Sequence, residues 1–406
     1  MTGVQTCALP ICDDVFKLYD TFGFPWELTE EILHKNGLTL DQPGFETAMQ
    51  EQRERARTAR QENQRVAVPD LRNLDIGALR QDFAATEGKV AAIWKDGQLV
   101  DTLHDGEEAG IITDVTPFYA EGGGQVGDTG LFFGEMGRLR VTNAKKLPDG
   151  TIYHIAYMEE GRLQVGDKVR MEVDAAKKLD SARNHTATHL LQAALKRVVG
   201  EQVSQAGSLV TAERLRFDFS NFEPVSPQQL SDVEDLVNRI ILQGQDVDIR
   251  QMKQEEARKL GAMALFGEKY GEIVRVVTVP GFSMEFCGGS HVSNVGQIGM
   301  FKIVSETGVA AGVRRIEAIT GGAALHWAKK RLTALDEAAS LLKCQAEDVT
   351  ARLMGMLDED KDMRQKLDAV RKLQEKADAE KLLMAVKSYG DMQAVVGNYS
   401  DRKSVV

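Results

Sequence analysis

The sequence predicts an α+β, multidomain chain in which a small β-barrel is followed by an α+β domain and an antiparallel helical hairpin. Three observations carry this expectation. Residues 85–173 read as short alternating strands set apart by turn signals. Residues 174–322 mix helices and strands without a repeating βαβ order. From Gly322 onward the chain lacks proline and is rich in Ala, Leu, Lys, Glu and Asp. A length of 406 residues, 43% of them hydrophobic, suits roughly two to four separately packed domains and argues against wholesale disorder.

Charge and cysteine usage narrow the class further. With 61 acidic against 50 basic residues the formal charge is −11, which excludes indiscriminate coating of nucleic acid but leaves room for a local basic groove. No run of 18 apolar residues occurs, so no membrane span is expected. Cys7, Cys12, Cys287 and Cys344 lack the regular spacing of a disulfide framework, and a reducing, cytoplasmic location is expected.

The two ends read differently from the rest. TGVQTCALPI at residues 2–11 resembles a translated sequencing-adapter oligonucleotide, with Cys12 at the join, and DRKSVV at residues 401–406 resembles the opposing adapter. Residues 1–12 and 401–406 are therefore expected to be non-native. Without Asp401, Arg402 and Lys403, one acid and two bases, the charge moves from −11 to −12.

From residue 15 to 65 the pattern is helical. Thr29, Glu30 and Glu31 open one helix with acids in its first turn, and Gly37 stops it. Residues 50–65 form a charged helix bearing Arg53, Arg55, Arg57, Arg60 and Arg65; a solvated face and a phosphate-contacting face both fit it. After Pro69, strands at 90–94 and 99–103 flank the hairpin signal Lys95-Asp96-Gly97, with further turns at Pro148-Asp149-Gly150 and Gly166-Asp167.

Residues 174–200 read as a helix with Leu190, Leu191, Ala194, Leu195 and Val198 on one face. Strands are expected at 207–210 and 215–219, a helix opened by Pro227 runs through 242, another helix lies near 255–260, and β-rich stretches cover 274–279 and 300–319. Beyond them, Leu332, Leu335, Ala339 and Leu342, then Val349, Leu353, Met356, Met363, Leu367 and Val370, mark two helical stripes broken near 345–348.

Chemistry concentrates in two strings. NHTATHLL places His185 and His189 four apart on the 174–200 helix, so both imidazoles leave one face. CGGSHV places Cys287 and His291 four apart around Gly288 and Gly289. A lone H-x-x-x-H is weak, but the second pair completes one thiolate and three imidazoles, a donor set suited to Zn²⁺. Four ligands close a tetrahedral shell; three leave a catalytic position open.

The strings NHTATHLL, VSQAGSLV, RLRFDFS, GAMALFGEKYG, CGGSHV and GVAAGVRRIEAITG together resemble the editing domain of the alanyl-tRNA synthetase family, a class II family. FKLYDTFGFPWELTEEI resembles the end of its tRNA-recognition helices, and FYAEGGGQVGDTG its barrel. The resemblance implies a helical remnant of the tRNA-recognition domain at 13–68, a β-barrel domain at 85–173, an editing domain at 174–322, a hairpin at 323–388 and the start of a truncated C-terminal domain at 389–400. It also implies hydrolysis of tRNA(Ala) mischarged with serine or glycine, with Zn²⁺ held by His185, His189, Cys287 and His291.

Gln205 and Thr188 match pocket positions of that family, where Gln205 would hydrogen-bond a serine hydroxyl; strand and helix packing also fits both. Arg314 and Arg315 would face phosphate or the terminal ribose, or form structural ion pairs, and Arg53, Arg57 and Arg60 would touch tRNA. The chain departs from the family pattern at Ser290, Gly122 and Asn221, none of them a proposed ligand. No ATP-binding or adenylate-forming segment is evident between residues 13 and 400, so ATP-dependent ligation is expected only of a full-length enzyme. No DNA or membrane partner is expected, and any homo-oligomer would form through the missing C-terminal domain. A free-standing deacylase of the same superfamily, the related threonyl-tRNA synthetase domain, and a non-catalytic zinc module that grips tRNA are the competing readings.

Overall fold

The computed structural model of the chain describes Val15, Trp26–Lys35, Gly44 and residues 80–264, 271–384, 387–389 and 391–394. Helix α1 (Trp26–Lys35) is already formed at Trp26, so Thr29, Glu30 and Glu31 lie within it rather than opening it. The Arg-rich helix expected at 50–65, with Arg53, Arg57 and Arg60, lies outside the described residues.

The barrel is built by β1 (Glu87–Lys95), β2 (Gln98–Val100), β3 (Thr102–His104), β4 (Glu108–Thr113), β5 (Gly130–Gly134), β6 (Gly137–Lys146), β7 (Ile152–Gln164) and β8 (Lys168–Val173). Six of these follow the order β8-β5-β6-β7-β4-β1, all antiparallel, and β8 pairs back onto β1 with Lys168 opposite Lys89, so the sheet closes. Closure leaves these six strands without a free edge. Period-two alternation sends Val90, Ile111, Phe132, Leu139, Met158 and Val169 into the interior. Asp96 and Gly97 make the β1–β2 turn, both with positive φ (49° and 81°), as a two-residue hairpin of this twist requires. A long connection from β4 to β5 (residues 114–129) passes out of the barrel and matters below.

Helix α2 (Ala175–Val198) follows β8 directly and is capped by Asp174, whose carboxylate accepts the Lys177 N–H at 3.0 Å. It is buried from Ala187 through Leu195. A four-stranded antiparallel sheet packs against it in the order β9-β10-β15-β14, with β9 (Gln205–Val210), β10 (Leu215–Ser220), β14 (Phe301–Ala310) and β15 (Val313–Thr320). Helix α3 (Pro227–Gln243) starts on a capping box made by Ser226 and Gln229 with Pro227 in the first turn, and it ends on Gly244 at φ 60°. Leu190, Leu195, Phe217, Phe219, Val237, Phe301 and Ile316 form the shared core. A smaller antiparallel sheet, β11 (Asp248–Lys253), β12 (Ile273–Val279) and β13 (Ser283–Phe286), is accompanied by α4 (Gln254–Lys259). The two strings NHTATHLL and CGGSHV thus lie on α2 and on the loop that leaves β13.

The chain divides into two units, residues 1–325 and 326–406. The second holds most of α5 (Gly321–Leu342), all of α6 (Val349–Met384) and the hairpin β16 (Lys387–Tyr389) with β17 (Met392–Ala394). Both helical stripes are helices, but no packed seam joins α5 to α6 among the described residues. Leu353, Met356, Met363, Leu367 and Val370 are 43% to 68% exposed, and the described residues hold α5 and α6 as two successive helices. Asp360 stands between Met356 and Met363 in the stripe and pairs with Arg364 at 2.8 Å. No helix among the described residues is long and apolar enough to cross a membrane.

Candidate metal centre

Helix α2 and the loop after β13 bring His185, His189, Cys287 and His291 together. One potential ligand atom from each lies within 4.8 Å of all the others. His185 Nε2 and His291 Nε2 both sit 3.2 Å from Cys287 Sγ. His189 Nε2 is buried without a partner. An orphaned buried ring nitrogen beside a thiol and two more imidazoles is the arrangement a soft divalent cation satisfies, and the donor set fits zinc by chemistry.

The outer nitrogen of each ring is tied elsewhere. His189 Nδ1 donates to Glu285 Oε2 at 2.6 Å, and Glu285 Oε1 is held by the Ser283 hydroxyl at 2.9 Å. His291 Nδ1 lies 3.1 Å from Thr186 Oγ1, which also accepts the Val292 N–H. His185 Nδ1 donates to Gln125 Oε1 at 2.7 Å. Three different partners therefore fix the same orientation, leaving every Nε2 for the centre.

Electrostatics follow from this burial. For Cys287, burial opposes ionisation, but the His185 and His291 rings outweigh it and hold the thiol well below its usual range. Burial pushes His291 down to about 3, so its ring is neutral. Burial likewise disfavours charge on His189, yet Glu285 and Cys287 overcome it and raise the ring to about 10. Behind the loop, Arg275 Nη1 donates to the carbonyls of Cys287 and Gly289 at 2.7 and 2.8 Å, which fixes the backbone between the two ligands. Gly289 is there because a Cβ would stand 2.1 Å from His185 Cε1.

The remaining predicted residues are placed less uniformly. Gln205 begins β9 at a bulge, half-buried, with its amide donating to Ser208 Oγ at 3.2 Å. Thr188 is buried on α2 and its hydroxyl donates to the Asn184 carbonyl one turn back at 2.9 Å. Arg314 forms a fork with Glu306, and Arg315 with Asp218, so both guanidiniums are committed to carboxylates within the sheet. Ser290 and Gly122, two departures from the family pattern, lie on the two sides of the Gln125 contact. Asn221 ties its loop to the β14–β15 turn, its backbone N–H donating to the Gly312 carbonyl, and its side-chain amide donates to the nearby Glu223 carbonyl. Sequence reasoning missed Glu285, two positions before Cys287, and Gln125, sixty before His185.

Two family models match the chain: the class II (A) tRNA synthetases over residues 8–177, and the second additional domain of threonyl and alanyl tRNA synthetases over residues 274–317. The chain is similar to an alanine–tRNA ligase of Alkaliphilus oremlandii, 44% identical over 389 residues, which covers 94% of this chain and 44% of that protein. A Geobacillus kaustophilus alanine–tRNA ligase is 47% identical over 363 residues, covering 88% of this chain and 41% of the relative. One of Bacillus cytotoxicus is 46% identical over 361 residues, with 88% and 41% covered. The chain thus spans less than half the length of these relatives.

Proposed function

We infer function from one premise, that this chain belongs to the class II alanyl-tRNA synthetase family: it hydrolyses the ester of tRNA(Ala) mischarged with serine or glycine. The observation that carries the reading is the convergence of three imidazole Nε2 atoms and one thiol, each ring held from behind by a separate partner. His185, His189, Cys287 and His291 would hold zinc, which when bound supplies a Lewis-acid charge for an ester carbonyl and its attacking water.

The chain's own residues supply position and selection. Water oxygen bonds to the aminoacyl carbonyl carbon, the bond to the ribose oxygen breaks, and that oxygen leaves with a proton. Gln205 offers an amide to a serine hydroxyl that alanine lacks. Thr188, on α2 with its hydroxyl returned to Asn184, would shape the pocket. Serine exceeds alanine by one hydroxyl and glycine lacks one methyl, differences that a single pocket separates only about 10- to 200-fold, so a second hydrolytic site serves fidelity. We assign hydrolysis to this chain, with tRNA(Ala) as its partner.

The closed four-donor shell favours a second reading, in which zinc is structural and the domain only grips tRNA. Zinc-loaded protein assayed on Ser-tRNA(Ala) and Ala-tRNA(Ala) separates the two. Selective loss of the seryl ester supports hydrolysis; stable esters on both, with tRNA still bound, support the structural role.

A further inference from the structure

The barrel reaches the metal centre through one side chain. Between β4 and β5, residues Gly122 and Gln125 pair across a two-residue turn, Gly122 N–H to Gln125 O at 3.1 Å and Gln125 N–H to Gly122 O at 3.0 Å. Gly123 and Gly124 occupy its centre at φ 58° and 80°, a conformation that a β-carbon penalises. The turn is fastened on two sides. Tyr119 donates its hydroxyl to the Gly122 carbonyl, while Asp128 accepts both the Tyr119 N–H and the Lys178 ammonium of α2. It then docks on the free edge of the four-stranded sheet: Val210 N–H donates to Gly124 O at 2.7 Å and Val126 N–H to Val210 O at 3.1 Å. Gly124 lies so close to β9 that a Cβ would stand 2.2 Å from Ser208 Oγ.

The consequence is a fully enclosed carboxamide. Gln125 is 1% exposed, and both ends of its amide are used. Oε1 accepts from His185 Nδ1 at 2.7 Å and from the Ser290 N–H at 2.9 Å, while Nε2 donates to Ser290 Oγ at 3.1 Å. One oxygen thus touches His185 of the first pair and the loop that carries the second.

We propose that Gln125 is a positioning residue of the metal centre: it fixes His185 as the Nδ1–H tautomer and seats the Cys287–His291 loop against it, making the barrel a working part of the site. An outer partner of a ligating imidazole sets which nitrogen is free and how the ring is turned, and its removal costs roughly 10- to 100-fold in metal affinity. Here that partner comes from a barrel loop rather than from the elements that carry the four donors, so metal affinity depends on how the barrel loop is docked. The inference rests on reading the four-residue cluster as a metal centre, and the test separates the two.

The full chain is loaded with Zn²⁺ against a chromophoric chelator, and long-range ¹H–¹⁵N spectra of its histidine rings are recorded. Gln125→Leu, which keeps the volume and removes the acceptor, should weaken zinc binding roughly 10- to 100-fold and alter the His185 ring pattern. Gln125→Glu retains the acceptor oxygen and should recover most of the affinity. The His154 ring, inside the barrel, should be unchanged in both and reports that the barrel is folded. Gln125→Asn, one methylene shorter, gives the same test if the leucine variant does not fold. Wild-type affinity with an unaltered His185 pattern in the leucine or asparagine variant overturns the proposal while leaving the metal centre standing. Absence of zinc binding by the unsubstituted chain overturns the metal reading itself.

Discussion

The carboxylate of Glu285 lies 2.6 Å from His189 Nδ1 and turns the opposite nitrogen of that ring toward Cys287 and the other imidazoles. Both groups are buried, so the contact is not screened by water. Glu285→Gln keeps the shape and removes the charge. We expect it to weaken zinc binding by roughly 10- to 100-fold, measured by chelator competition on the metal-loaded chain. Unchanged affinity would show that His189 needs no carboxylate behind it.

The two glycines of the CGGSH loop are not equivalent. A Cβ at Gly289 meets His185 Cε1 at 2.1 Å and Gln125 Oε1 at 2.9 Å, whereas one at Gly288 meets nothing within 4 Å. Gly289→Ala should therefore cut zinc affinity by at least about tenfold through a displaced His185, and Gly288→Ala should leave it within about twofold. Equal losses in the two variants would point to loop flexibility rather than to the packing of His185.

The clustering of the four candidate donors was legible because two pairs at i, i+4 spacing leave a signature in one dimension, and the barrel because Lys95-Asp96-Gly97 and its relatives punctuate regular strands. What holds the ligands was not. Gln125 comes from a glycine-rich turn sixty residues before His185, and only docking of that turn on Val210 brings it near. Glu285 sits on alternating strand sequence, SMEF, where the inward glutamate reads as any strand residue. For Arg314 and Arg315 the ion-pair reading has its partners, Glu306 and Asp218, which only the strand register could supply.

His154 gives the barrel a pH dependence of its own. It is buried among Phe118 and Phe132, with Nδ1 donating to the Ile111 carbonyl at 3.0 Å and Nε2 2.7 Å from the Thr116 hydroxyl. Burial lowers its pKa from 6.5 to about 4. The unfolded chain then takes up the proton first. Stability is full above about pH 6.5, falls as the pH drops, and levels off below about 4, with about 3 kcal/mol at stake. Denaturant unfolding followed by Trp94 fluorescence between pH 7 and 4 checks this, and His154→Gln should flatten the slope. An equally steep slope in that variant would assign the effect to other groups.

Gln205 is the residue we propose to read a serine hydroxyl; its amide donates to Ser208 Oγ at 3.2 Å. Gln205→Leu should reduce hydrolysis of the seryl ester roughly 10- to 100-fold and that of the glycyl ester far less, because glycine has no hydroxyl to bind. Thr188→Val loses one bond within α2 and should change both rates by less than about tenfold. Equal losses on both esters in the Gln205 variant would make that residue a packing element.

The measurement closest to the central claim is single-turnover hydrolysis of Ser-tRNA(Ala) and Ala-tRNA(Ala) by the zinc-loaded chain and by Cys287→Ala. We expect the seryl ester to be cleaved on the order of 100-fold faster than the alanyl ester, with zinc and this preference lost together in the variant. Equal cleavage of the two esters, or undiminished seryl hydrolysis by Cys287→Ala, would contradict the assignment of editing to this centre.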